Sequence, residues 1–127
     1  MDIIRQAGIK KKSFELNYNG GTIWCEHLDG MGDCEDEVIA KYLGDKKAFS
    51  RPSASAFMII NLDKTDITEG IASTIVSTIS ETEKTIRKIA FVGVPGYWRR
   101  SFRRVSGKGI AVTFLSDYEK AKEWLFA

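Results

Sequence analysis

The stretch from Ala56 to Ile86 constrains the fold more than any other part of this chain. A mostly apolar run, Phe57-Met58-Ile59-Ile60-Asn61-Leu62, is followed by a polar loop, Asp63-Lys64-Thr65-Asp66-Ile67. Isoleucines then recur at positions 71, 75 and 79, a spacing that places apolar side chains on one face of a helix. The pattern predicts a buried strand that leads through a short loop into an amphipathic helix, which continues to about Lys84.

The loop between this strand and this helix is the expected place for function. In open α/β sheets, ligands and partners usually meet the protein where strands end and helices begin. The sequence Asp66-Ile67-Thr68-Glu69 also fits a capping box, in which an Asp or Thr oxygen accepts a hydrogen bond from a backbone amide. We therefore expect any functional chemistry to lie near Asp66 and Thr68.

The chain upstream of this stretch predicts a β-hairpin. Phe14, Leu16 and Tyr18 alternate with polar residues, and Asn19-Gly20-Gly21 supplies residues that tolerate a positive φ. A second strand pattern follows over residues 22–28. Two such strands around a short Gly-rich turn are expected to pair in antiparallel fashion.

A helix is predicted after the hairpin. Asp33 is its expected N-cap, the first turn is acidic as the helix dipole favours, and Gly44 is its expected end. Residues 45–55 are predicted to form a connector with some helical character before the next strand, and Pro52 stops any helix there. The side chains expected to face the core are those of Val38, Ile39, Tyr42 and Leu43.

The remaining chain alternates between strand and helix patterns. Residues 87–94 predict a second buried strand, residues 97–105 a short helix, and residues 110–114 a last strand. A second capping box, Ser116-Asp117-Tyr118-Glu119, opens a C-terminal helix. The apolar side chains expected to be buried by the two helices are Trp98, Phe102, Val105, Ala121, Trp124 and Leu125.

The element order ββαβαβαβα predicts an α/β fold with a mostly parallel central sheet. The N-terminal hairpin is expected at one edge of the sheet, with the helices distributed over its faces. We expect one domain over residues 1–127, with residues 1–12 as a lead-in segment.

No apolar run approaches the roughly 20 residues that span a bilayer, and the chain does not start like a signal peptide. A cytoplasmic protein without a transmembrane segment is therefore expected.

Charge is unevenly placed along the chain. The net charge of +2 is too small to indicate a nucleic-acid partner, and none is expected. Acidic residues without any Lys or Arg fill the segment from Cys25 to Glu37, whereas Tyr97 to Lys108 carries basic residues and no acid. We therefore expect one acidic face and one basic face.

The strand, short Asp/Ser/Thr loop and apolar helix, in this element order, resemble the STAS family, the domain of bacterial anti-sigma factor antagonists. The segments Ile-Arg-Lys-Ile-Ala-Phe-Val-Gly-Val and Val-Thr-Phe-Leu-Ser-Asp-Tyr-Glu-Lys-Ala-Lys-Glu-Trp-Leu are similar to an uncharacterised STAS-like branch. The resemblance covers about residues 14–126. It implies a non-catalytic regulatory module whose protein partner is kinase-like or sigma-regulatory. The partner-binding loop it implies comprises Asp63, Asp66, Thr68, Glu69, Gly70 and Ser73.

The same resemblance raises the question of phosphorylation. Phosphorylated STAS members carry Asp-Ser-Ser-Gly in this loop, and the second serine takes a phosphate that stops partner binding. This chain has one residue more between Asp66 and Gly70. If Asp66 is matched, Thr68 is the phosphoacceptor; if Gly70 is matched, Glu69 takes that place and supplies a permanent negative charge. The favoured interpretation of Thr68 is a helix N-cap hydroxyl, since capping alone explains an Asp or Thr before Glu69.

The most basic segment allows two interpretations. In the first, residues 97–105 form an amphipathic helix that docks its aromatic side chains on the sheet while the arginines stay in solvent. In the second, the arginines bind an anion. The latter gives an alternative function, a carrier or sensor of a small anionic or lipid-like ligand held between the central loop and the segment from Val94 to Arg104. The anion-binding candidates are Arg99, Arg100, Arg103 and Arg104.

Enzymatic or metal-dependent chemistry is not expected. Cys25, His27 and Cys34 do not follow a zinc-binding spacing, and they favour a small buried cysteine beside a solvated histidine. No phosphate-binding glycine motif occurs, so no cofactor is expected. Catalysis would require a deep pocket that places His27, the single histidine of the chain, beside a carboxylate. The sequence leaves open whether the protein forms a homodimer.

Overall fold

The fold was analysed in a computed structural model, which describes residues 11–127. The strands are β1 (Phe14–Tyr18), β2 (Gly21–His27), β3 (Phe57–Asn61), β4 (Lys88–Val92) and β5 (Ala111–Leu115). The helices are α1 (Glu35–Phe49), α2 (Glu69–Glu81), α3 (Gly96–Phe102) and α4 (Tyr118–Leu125), and a 3-10 helix (Arg103–Lys108) follows α3 directly. The predicted α/β class and element order are confirmed. Most of the predicted lead-in segment lies outside the described residues.

One mixed sheet holds all five strands in the order β1-β2-β3-β4-β5. β1 and β2 pair in antiparallel fashion, and every other neighbouring pair is parallel. The turn between β1 and β2 places Asn19 at φ +48° and Gly20 at φ +81°, which suits a two-residue hairpin turn. The predicted hairpin therefore forms one edge of the sheet, and β5 forms the other.

The helices lie unequally on the two faces of the sheet. Because the parallel strands are added one after another in the same direction, right-handed crossovers place α1, α2 and α3 on one face. The larger hydrophobic core lies between those helices and the sheet. A smaller core lies on the opposite face, where Ala121 and Leu125 of α4 pack against β2, β3 and β4. Among the four helices of residues 11–127, only α4 lies on that face.

The helix α2 is the central element of the larger core. Ile71, Ile75 and Ile79 are at most 1% exposed, as their spacing predicts. The helix ends at Glu81 rather than near Lys84, because Thr82 takes an extended backbone conformation. The predicted strand and helix are therefore confirmed, with a shorter C-terminal end.

The helix α1 differs more from its prediction. It continues through Gly44 to Phe49, which is 1% exposed and supplies the apolar contact that extends the helix. Leu43, predicted to face the core, is 44% exposed because it lies about 100° around the helix from the buried Tyr42. The N-cap is Cys34, which makes no side-chain cap bond, and not Asp33.

The elements near the C-terminus also shift slightly from their predicted bounds. The predicted basic helix is divided into α3 and the 3-10 helix, and Phe102 and Val105 are buried while Trp98 is half-buried. Asp117 caps α4 in place of Ser116, and its Oδ1 accepts from Glu119 N at 2.8 Å and Lys120 N at 3.3 Å. Across residues 11–127, no helix has the length and apolar character that crossing a membrane requires.

Candidate functional site

The loops that follow β2 and β3 are bonded to each other beyond the ends of the strands. Gly30 N donates to Asp63 O at 2.8 Å, Gly32 N donates to Lys64 O at 3.1 Å, and Asp66 N donates back to Gly32 O at 2.8 Å. These bonds extend the β2–β3 pairing into the loops. The predicted functional loop is therefore held at a fixed position before α2 begins.

A threonine side chain fastens the inner part of the same loop pair. The Thr65 hydroxyl donates to Leu28 O at 2.6 Å and accepts from Met31 N at 3.1 Å, and Thr65 itself is buried. A buried hydroxyl that uses both its donor and its acceptor stabilises one loop geometry over others.

Thr68 caps α2 and connects it to α1. Its hydroxyl oxygen accepts from Ile71 N at 3.2 Å, the bond of an N-cap residue, and its hydroxyl donates to the carboxylate of Glu35. The cap is thus Thr68 and not Asp66. The carboxylate of Glu35 also lies against Gly70, where the lack of a side chain leaves room for it.

The starts of α1 and α2 together form one acidic surface. The acidic residues that the fold brings to it are Asp33, Glu35, Asp36, Asp66 and Glu69. Asp66, Glu69 and Ser73 are exposed, while Thr68 and Gly70 are half-buried. Asp63 is exposed in the preceding turn. The implied residues from Asp66 to Ser73 therefore lie together at the start of α2, where α1 adds carboxylates that the loop sequence did not indicate.

The geometry bears on the two alignments of the phosphorylation loop. The Thr68 hydroxyl is engaged as both donor and acceptor, and a phosphate there would stand beside the Glu35 carboxylate. Repulsion between the two would oppose that modification. Glu69, by contrast, is exposed in the first turn of α2 and places a constant negative charge there.

The basic segment lies at the opposite side of the helical layer, beside β5. The Cζ atoms of Arg99 and Arg103 lie 5.7 Å and 4.9 Å from the centre of the Phe114 ring. Arg100 and Arg104 are exposed beside them. The helix therefore packs Trp98 and Phe102 against the core and keeps its arginines at the surface, an arrangement that fits both interpretations.

A cavity lies away from both surfaces. It has a volume of about 630 Å³ and is lined by Lys46, Ser50, Pro52, Thr82, Glu83, Lys84 and Thr85. These residues precede β3 and β4, at the amino ends of the strands, whereas the loop from Asp63 to Gly70 lies at their carboxyl ends. A small anionic or lipid-like ligand between that loop and the arginines stays a prediction.

A polar cluster on the α4 side was not predicted. His27 Nδ1 lies 2.9 Å from Asp29 Oδ1, and His27 Nε2 lies 3.5 Å from the hydroxyl of Tyr118. The imidazole is stacked on Phe14, with ring centres 5.9 Å apart. The His27 side chain is only 12% exposed, so the expectation of a solvated histidine is wrong. Cys25 is buried, and that burial raises the pKa of its thiol, which favours the unreactive thiol form.

The carboxylate in this cluster is kept ionised. Burial of Asp29 favours the neutral acid, but hydrogen bonds from His27 and from Lys11 outweigh it and lower its pKa from 3.8 to about 2. The Lys11 ammonium lies 2.8 Å from Asp29 Oδ2. The cluster thus fixes β2 to the segment that precedes β1. Of residues 11–127, no three His, Cys, Asp or Glu side chains are grouped so as to hold a metal ion.

Replacing Asp29 by Asn should therefore destabilise the fold at neutral pH. A lowered folded pKa contributes stability above the unfolded value of 3.8, and this contribution is lost as pH falls towards about 2. We expect Asp29→Asn to lower the free energy of unfolding by about 2 kcal/mol at pH 7 and by much less at pH 2. Urea unfolding at both pH values measures the difference. The variant Asp33→Asn, at an exposed site, is the control. An equal loss of unfolding free energy in Asp29→Asn at pH 7 and at pH 2 would show that the pKa of Asp29 is not lowered in the folded chain.

A buried carboxyl lies on the other face of β2. Glu26 is 0% exposed, and its Oε1 accepts from the indole nitrogen of Trp24 at 2.8 Å. Within the described part of the chain, no donor group lies within hydrogen-bond distance of its Oε2. Burial and the neighbouring Asp45 carboxylate on α1 raise the pKa of Glu26 to about 9. Glu26 is therefore neutral at pH 7, and its proton can be donated to Asp45.

Comparison with known proteins adds no identification. A scan against protein-family models, a search of curated proteins and a search of solved structures each found no match to this chain.

Proposed function

We propose that this chain is a non-catalytic regulatory module that binds a partner protein through the acidic surface at the starts of α1 and α2. The STAS resemblance implies such a function and such a location. The observation that supports it most is the Thr68–Glu35 bond, which joins the predicted partner-binding loop to the acidic first turn of α1. It makes one larger surface from two short acidic segments.

The rigidity of this surface supports a docking role. The bonds between the two loops fix Asp63, Lys64 and Asp66 in place before any partner binds. A surface that is ordered beforehand loses less conformational entropy on association, and this favours affinity. The exposed residues Glu69 and Ser73 follow on the outer side of α2, one turn apart.

The charge of the surface suggests the chemistry of the partner. Carboxylates at two adjacent helix starts attract Lys and Arg side chains and speed the encounter with a basic protein surface. By resemblance, the partner is a kinase-like or sigma-regulatory protein. Glu69 gives the surface a charge that does not depend on a modifying enzyme, so the proposed docking is constitutive rather than switched by a phosphate on Thr68.

Reversal of charge on this surface should abolish partner capture. We expect Asp66→Lys with Glu69→Lys to reduce the amount of each specific partner about tenfold or more, because opposite charges become like charges at the contact. Tagged protein is used to capture partners from its own host cells, and the captured proteins are quantified by mass spectrometry.

A matched double variant controls for net charge. Glu81→Lys with Glu83→Lys makes the same change at the far end of α2, where both side chains are exposed. This control should retain the partners of the unmodified protein. The proposal fails if both double variants lose the same partners to the same extent, or if neither loses any.

A further inference from the structure

The free edge of β5 forms a second surface, at the edge of the sheet opposite to β1. Of the strands in residues 11–127, only β4 pairs with β5. Ala111 N donates to Arg87 O, and Leu115 O accepts from Gly93 N, each at 3.0 Å. Because successive residues of a strand direct their backbone groups to opposite sides, Val112 and Phe114 direct theirs away from β4. Those N–H and C=O groups are positioned to pair with another strand.

Two guanidinium groups flank this edge on the helical side. Arg99 and Arg103 lie over the ring of Phe114, and Arg99 Nε also donates to Val94 O at 3.2 Å, which fixes its position. The Phe114 ring is in turn stacked on the buried Phe91, with ring centres 5.3 Å apart. The charges are therefore held beside the outward backbone groups of Phe114.

These guanidinium groups have no acidic neighbour in their own segment. Residues 97–116 contain no Asp or Glu. The ion pairs formed among residues 11–127 use other cations, namely Lys11, His27, Lys41 and Lys122. Both arginines are exposed. Positive charge without a local counter-charge, beside a free strand edge, favours an acidic occupant.

We propose that the β5 edge binds an extended acidic peptide segment of a partner protein, which adds a sixth strand to the sheet. Every second side chain of such a strand would face the helical layer, and those side chains are about 7 Å apart. Arg99 and Arg103 are one helical turn apart, a spacing of about 6 Å between neighbouring Cβ positions. A Glu-x-Glu segment thus places one carboxylate near each guanidinium, with a β-branched residue between them.

A defined peptide tests this proposal. The probe is a fluorescein-labelled Thr-Glu-Val-Glu-Val-Glu-Thr with blocked ends, and its binding is followed by fluorescence anisotropy. We expect Arg99→Gln with Arg103→Gln to weaken binding about tenfold or more, because two charge-assisted contacts are lost. The matched control, Arg100→Gln with Arg104→Gln, has the same net charge and should weaken binding by about threefold or less, since only screened long-range attraction is reduced.

Two further measurements separate strand pairing from simple charge attraction. A peptide with N-methyl groups on the amides that face the edge keeps its charge but cannot donate hydrogen bonds, and we expect it to bind about tenfold more weakly. In the unmodified complex, the amides of Val112 and Phe114 should become protected from hydrogen exchange.

Other outcomes would overturn the proposal. Equal binding of the methylated peptide would show a charged surface without strand pairing, such as one for nucleic acid or an anionic membrane. Self-association in analytical ultracentrifugation that Arg99→Gln with Arg103→Gln abolishes would assign the edge to a second copy of this chain. The proposal does not depend on the acidic surface, so Asp66→Lys with Glu69→Lys should leave peptide binding intact.

Discussion

Replacing Glu26 by Gln is expected to stabilise the protein at neutral pH and to flatten the pH dependence of its stability. Glu26 has a pKa of about 9 in the folded chain, against 4.5 for an ordinary glutamate. The folded chain favours the protonated acid of Glu26. The stability that this preference contributes is therefore fully present below pH 4.5 and is lost as pH rises through about 9. Over that range the unmodified protein should lose about 1.4 kcal/mol of unfolding free energy per pH unit from this residue alone.

Glutamine mimics the protonated acid, because its amide can donate to Asp45 and never ionises. The variant should match the unmodified protein near pH 4 and should be about 3 kcal/mol more stable at pH 7. Urea unfolding at several pH values between 4 and 9 measures this, with the exposed Glu123→Gln as the control. Parallel stability curves for the Glu26 variant and the unmodified protein would show that Glu26 is ionised in the folded chain.

Hydrogen-bonded polar groups near the buried Glu26 explain why a carboxyl group is tolerated at this position. Lys41 on α1 donates to Asp45 at 3.0 Å and to the Ser13 hydroxyl at 2.8 Å. Ser13 in turn accepts from His27 N at 2.9 Å. The neutral acid of Glu26 thus joins a polar network that links β2, α1 and the start of β1. A buried network of this kind favours one packing arrangement, because its members cannot be satisfied separately.

The fold could be predicted from local patterns because the strands and helices here carry strong periodicity. The isoleucines of α2 and the alternation in β1 each have one favoured structure. The bounds of α1 were harder to predict. Gly44 is typical of a helix end, but the helix continues past it because Phe49 is buried in the core. Capping gave a similar difficulty: Asp66 and Thr68 both fit an N-cap, and only the position of α2 against α1 selects Thr68.

The site depends on contacts between segments far apart in the sequence, and for that reason less of it could be predicted. Glu35 and Thr68 are separated by 33 positions, and no local pattern joins them. The burial of Glu26 had a weaker signal, because strand alternation places it on the same face as Trp24 and Leu28. His27 and Tyr118 are separated by 91 positions, and only the return of α4 to the sheet brings them together.

Replacing Gly93 by Ala is expected to cost about 3 kcal/mol or more of unfolding free energy, one of the largest effects of any single substitution here. Gly93 follows β4 with φ at +78°, and a Cβ there would lie 2.5 Å from Asp63 Cα and 2.7 Å from Asp63 N. Both atoms belong to the backbone of the loop that positions the acidic surface, so relief of the clash must move that loop.

The variant Gly109→Ala is the control that separates the cost of the steric clash from the cost of the left-handed backbone conformation. Its φ is +81°, and a Cβ there would meet no atom within 4 Å, so Gly109→Ala should cost only the left-handed penalty of about 1–2 kcal/mol. The additional loss in Gly93→Ala then measures how closely β4 approaches the Asp63 loop. Since that loop carries part of the proposed docking surface, Gly93→Ala should also weaken partner capture at temperatures where the variant is still folded, whereas Gly109→Ala should not. Urea unfolding measures the stability of both variants. Equal losses in Gly93→Ala and Gly109→Ala would mean that the Asp63 loop moves aside at no cost in free energy, and that it is not the rigid support proposed for the acidic surface.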